Sequence, residues 1–202
     1  MFFIKSLIIN TLLISSLTCV VPLGVRYKVP IEKIKAFANE YSVEQAEATL
    51  PVTSYDINKE IKNRPGMIGR IVSQDLGINV AVFQGDVYYR PKETQTIIDN
   101  EDSAATFTFN TQTFIGDHNY QSMSPLLADK DLTGTVVAYI KPDGIEYYKF
   151  MAKYTTFKNM SIGYFDDNGN PCPLPCGDTM VLSTCRDETG NYMVLTYWEK
   201  IE

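Results

Sequence analysis

The chain has 202 residues, 45% hydrophobic and 21% charged, enough for one domain with a real core plus some flanking chain. That composition excludes whole-chain disorder and a polytopic membrane protein. Eighteen basic against 24 acidic residues give a net charge of −6, the wrong sign for a phosphate-binding surface, which argues against nucleic acid as a partner.

From Ser6 to Val25 the chain is apolar, with Lys5 before it and Arg26 and Lys28 after it. About twenty such residues can span a bilayer, although Asn10, Thr11 and Pro22 make this a weak span. No small-x-small cleavage site follows, so residues 1–25 are expected to be an uncleaved anchor, with a removed signal peptide as the alternative. Cys19 lies inside this stretch as an apolar filler. Residues 31–48 place Ile31, Ile34, Ala38 and Tyr41 at helical spacing, which predicts a juxtamembrane helix. The polar run that follows Pro51 reads as a linker ending at the turn Arg64-Pro65-Gly66, so residues 26–65 form helix and linker and the domain occupies 66–202.

Past residue 66 the hydrophobic period becomes two. Segments 68–85, 105–117, 133–157, 180–185 and 191–198 predict six to eight strands, and thirteen Tyr and ten Phe favour the same state. Lys141-Pro142-Asp143-Gly144 marks a tight hairpin over 135–150, and Asp187-Glu188-Thr189-Gly190 separates the last two strands. An antiparallel barrel or sandwich with little helix follows. Segments 86–103 and 120–131 are expected to be loops.

The chain has one histidine, His118, directly after a strand, and Cys185 ends the apolar strand MVLSTC. A thiol and an imidazole are the minimum for nucleophilic catalysis by a thiolate. Cys172 and Cys176 in NPCPLPCGD leave three readings open: a small disulfide loop, two reduced thiols, or a zinc site completed by Cys185 and His118. Asp117, beside His118, reads as a solvated turn residue.

Four segments resemble the sortases, the cysteine transpeptidases of Gram-positive cell surfaces. GMIGRIVSQDLGINVAVFQG (66–85) looks like the opening hairpin of that family. TFIGDHN (113–119) is similar to the strand that supplies its histidine, LTGTVVAYIKPDGIEYYKF (132–150) resembles the next hairpin, and LSTC (182–185) matches the motif bearing the nucleophile. The resemblance implies a closed β-barrel of about eight strands with short helices, in which His118 and Cys185 face one another across a groove. It implies cleavage of a sorting-signal peptide through a thioacyl enzyme, with transfer to an amine of the cell wall or a pilin, and no cofactor or resident metal. With the N-terminal anchor, it implies a single-pass protein of the cell membrane whose catalytic domain is extracellular. A thiol peptidase or a weak peptide-binding module on the same fold is the alternative.

One feature departs from the family. Sortases carry an arginine on the strand after the cysteine, and here NYMVLTYWEKIE contains none. By register Tyr192 takes that place as a hydrogen-bond donor to the oxyanion, with Asn191 as the one-residue slip. Arg186 should point to the face opposite Cys185.

Overall fold

Over residues 180–184 and 193–198 every residue is buried, so there the sheet is covered on both faces. The structure, a computed structural model, describes residues 55–87, 89–109, 112–159, 163–166, 168–170, 172 and 178–201. The expected anchor (1–25) and juxtamembrane helix (31–48) lie outside the described residues. Among the described residues no helix is long and apolar enough to cross a membrane.

The described residues form nine strands: β1 (Met67–Ser73), β2 (Ile78–Gln84), β3 (Ser103–Phe109), β4 (Gln112–Asp117), β5 (Val136–Lys141), β6 (Gly144–Asn159), β7 (Gly163–Phe165), β8 (Thr179–Cys185) and β9 (Tyr192–Lys200). They run β5-β1-β2-β3-β4-β8-β9-β6-β7, and an additional β5–β6 pairing closes the first eight into a barrel, with β7 attached to β6 alone. The closed barrel of eight strands expected from the resemblance is therefore the fold observed. It is not wholly antiparallel. The β2–β3 and β4–β8 pairs are parallel, and parallel neighbours need a crossover connection, which helix α2 (Pro91–Ile98) supplies between β2 and β3.

In β2, Ile78, Val80 and Val82 face the interior with Ile71, Ile115, Leu182, Val194 and Trp198, while Ala81 faces outward. Trp198 is fully buried, meets Phe150 edge-on at 5.5 Å, and donates its indole N–H to Thr196 Oγ1 at 2.8 Å. Burying one such ring with its polar handle satisfied contributes about 2–3 kcal/mol. On the outside, Phe114, Val181, Met193, Leu195, Tyr197, Tyr164 and Cys172 form a second apolar layer.

Two segments read from sequence as irregular are helical. Within the expected linker, α1 (Ile57–Asn63) is capped by the Asp56 side chain accepting from the Lys59 amide at 3.1 Å, and Ile57 and Ile61 pack on the outer face of β1 and β5. Arg70, buried on β1, ties it down through Glu60 at 3.0 Å, and also binds Asn79 at 2.6 Å and Asp102 at 3.3 Å. Within the expected 86–103 loop, α2 begins at Pro91, whose missing N–H costs nothing in a first turn. In 120–131 a single 3-10 turn spans Ser124–Leu127.

Candidate active site

Residues at the C-terminal ends of β4 and β8 are brought together by backbone register. In this parallel pair Gly116 lies beside Ser183 and Asp117 beside Thr184, the last paired residues, and His118 and Cys185 are the next residue along each chain. Gly116 is required there: a Cβ would fall 2.5 Å from Ser183 Oγ and 2.8 Å from the Ser183 carbonyl oxygen. The Thr184 hydroxyl fastens the same seam by donating to the Asp117 carbonyl at 3.1 Å.

Ala105, Gly116 and Ser183 are consecutive neighbours across β3, β4 and β8, and their small side chains form the floor of a groove of about 950 Å³. His118 and Cys185 both line it. Pro91, Gln95 and Ile98 of α2 make one wall, with Asn119 and Tyr120 at the rim, and residues 187–190 with Met193 make the other. Beyond Cys185 the chain turns through Asp187, whose Oδ1 accepts from the Thr189 amide at 3.1 Å, the Thr189 hydroxyl at 2.7 Å and the Gly190 amide at 3.1 Å. Gly190 has φ +68°, and a Cβ on it would lie 3.9 Å from Cys185 Sγ, so the turn closes against the thiol.

His118 is mostly buried, with 18% of its side chain exposed, and it is held from two sides. Its Nε2 lies 2.9 Å from Asp99 Oδ1, at the C-terminal cap of α2, and its ring stacks on Tyr120 with centroids 5.1 Å apart and planes 9° from parallel. Gln95 Nε2 donates to the same Asp99 oxygen at 2.8 Å and comes within 3.2 Å of His118 Nε2. Hydrogen bonds from His118 first, then Gln95, hold the Asp99 carboxyl below the usual carboxylate range. Neither Asp99 nor Gln95 stands out in the sequence; the available signal is Pro91 followed by Glu93, the opening of a helix, which would have placed both on one structured wall.

Asp117 is not the solvated turn residue expected. It is 4% exposed, and its carboxylate accepts from the Met123 amide at 3.1 and 3.2 Å, which folds residues 118–123 back over the strand end. Burial pushes its pKa up to about 7, against the pull of the amides of Met123 and Ser122.

Tyr192 does not join the site. Directly opposite Cys185 on β9 stands Met193, which is 7% exposed and lines the groove. Adjacent strand residues face opposite sides, so Tyr192 shares the parity of inward-facing Val194 rather than that of Cys185. It is 40% exposed, and its ring meets Phe157 of β6 edge-on at 5.5 Å. Asn191 is exposed in the turn, its amide on Thr189 Oγ1 at 3.2 Å, and neither it nor Arg186 lines the groove. Among the described residues no lysine or arginine lines it, whereas Asp117, Asp187 and Glu188 do.

Cys172 is buried in the outer apolar layer with Tyr164 and Tyr197, and Cys176 lies outside the described residues. Among the described residues no group of three or more His, Cys, Asp or Glu could hold a metal ion.

No protein-family model and no curated protein matches the sequence. Solved structures that resemble the chain are sortases at low identity. A pilus-related sortase C of Group B Streptococcus is 14% identical, covering 85% of this chain and 96% of its own, with a TM-score of 0.49. A Staphylococcus aureus sortase B in complex with substrate is 14% identical over 72% of this chain and 84% of its own, with a TM-score of 0.49. Listeria monocytogenes sortase A is 14% identical over 68% and 88%, with a TM-score of 0.47. The likeness concerns the path of the chain.

Proposed function

We propose that the chain is a sortase-like cysteine transpeptidase that cleaves a sorting-signal peptide and passes it to a cell-surface amine. The observation that supports this reading is that the chain's one histidine, His118, and Cys185 line the same groove, which has a small-residue floor. In the first half-reaction the Cys185 thiolate adds to the scissile carbonyl, the C–N bond breaks, and the departing amine takes a proton from the His118 imidazolium. A thioester and a neutral imidazole remain. In the second, an acceptor amine adds to the thioester and yields its proton to His118, and the C–S bond breaks to restore the thiolate.

Among the described residues the lining holds no lysine or arginine, and the Asn119 carboxamide is a neutral donor there for the developing oxyanion. Losing one donor at such a site costs about 3–4 kcal/mol of transition-state stabilisation. That observation favours a second reading, a thiol peptidase or weak peptide-binding module on the same fold. The apolar stretch from Ser6 to Val25 supports a single-pass position in the cell membrane with the domain outside the cell.

The test is to incubate the full chain with LPxTG-like peptides, with and without an added amine, and to weigh the products. An amine-dependent ligation product supports the transpeptidase. Hydrolysis indifferent to the amine assigns the second reading, and no turnover of any peptide rejects both enzymatic readings.

A further inference from the structure

The end of α2 is an unfavourable place for an anion. The helix dipole presents its negative pole there, and the last turn holds no basic residue, yet the cap is Asp99. The contact that compensates is the His118 Nε2 hydrogen bond at 2.9 Å.

Resting on the transpeptidase reading, we infer that Asp99, steadied by Gln95, is a positioning residue that holds His118 with its proton on Nε2 and reserves Nδ1 for proton exchange in the groove. An ionised carboxylate only accepts hydrogen bonds, so the nitrogen 2.9 Å from Asp99 must carry a proton. Gln95 sharpens this assignment. Its amide nitrogen reaches the same oxygen at 2.8 Å, and turning the amide over would set two oxygens against each other at that distance. Two N–H donors thus converge on Asp99 Oδ1, and the 3.2 Å approach of Gln95 to His118 is the by-product. The stack on Tyr120 fixes the ring plane, leaving Nδ1 as the nitrogen free to serve Cys185 and the two amines. Asp99 is not what anchors the His118 segment to α2, because Gln121 Nε2 independently donates to the Ile98 carbonyl at 2.9 Å. Removing the carboxylate should therefore change the imidazole without freeing the loop.

Because His118 is the chain's one histidine, its imidazole can be read alone in the full protein labelled with ¹⁵N-histidine. On the alkaline side of the imidazole titration the wild type is expected to show a protonated Nε2 and a bare Nδ1. In Asp99→Asn, whose amide can donate to Nε2, the population moves toward the other tautomer, and Asp99→Glu restores the original spectrum at least in part. In turnover, Asp99→Asn lowers kcat at least about tenfold, a fraction of the 10²–10⁴ a positioned acid or base contributes, with KM unchanged. An imidazole spectrum indifferent to Asp99 overturns the inference whether or not turnover is found, and so does a tautomer shift that leaves kcat intact. Failure of the wild type to turn over any peptide counts against the transpeptidase reading, and the spectrum still decides whether Asp99 sets the tautomer.

Discussion

The two sides of the groove hold their functional groups by different means. Along the seam of β4, β8 and β9, position is a matter of backbone register: Ser183 and Thr184 are fully buried, and Gly116 leaves no room for even a methyl group. On the α2 flank, Asp99 and Gln95 are exposed; Asp99 meets His118 through one side-chain hydrogen bond and Gln95 donates to Asp99 through another. The seam decides where the thiol and the imidazole sit, and the flank decides which nitrogen carries the proton. Errors in the first should cost stability and activity together, and errors in the second activity alone.

The largest effects should come from the groups the seam presents. Cys185→Ala and His118→Ala are each expected to reduce turnover to background with the fold retained, checked by product mass and by circular dichroism. Next, Gly116→Ala should break the seam itself. The added methyl meets both the hydroxyl and the backbone carbonyl of Ser183, an overpacking that costs about 1–3 kcal/mol and spreads the two strand ends, so Tm and kcat should fall together.

Asp117 gives a pH-dependent test of the same seam. Its folded-state pKa of about 7 is raised above the ordinary 3.8, so between these values the native state holds a proton that the unfolded chain has lost. Stability contributed by this group is therefore present at low pH and lost as pH rises toward 7, with a slope of at most about 1.4 kcal/mol per pH unit. Asp117→Asn, which keeps an oxygen for the Met123 amide, should flatten that slope and raise Tm at pH 8 relative to wild type, with little gain at pH 4. Thermal unfolding across this range checks the sign. The smallest effect is expected from Tyr192→Phe, since its hydroxyl lies off the groove, and kcat should be unchanged.

What could be read from sequence follows the same division. The strands, the 141–144 hairpin and the candidate pair His118 and Cys185 announce themselves through a period of two, a Pro-Asp-Gly turn and the types of residue at strand ends. The parallel pairings do not, because alternation along a strand carries no information about which neighbour it joins. Helix α2 is short and mostly exposed, so it lacks the apolar stripe that marks a helix. Asp99 reaches His118 only through the fold, 19 residues away in sequence. Tyr192, expected as the oxyanion donor, is not among the groove-lining residues. The turn after Cys185 sets Met193 opposite the thiol, and a slip of one on a strand exchanges the faces.

In the proposed mechanism His118 activates Cys185. Intact-mass and peptide mapping of the full chain after brief exposure to a substrate-like peptide electrophile, beside Cys185→Ala and His118→Ala, reads that activation. The expected result is a single adduct at Cys185, formed far faster than at buried Cys172 and lost in His118→Ala. Labelling of Cys185 that is slow and indifferent to His118 would contradict it.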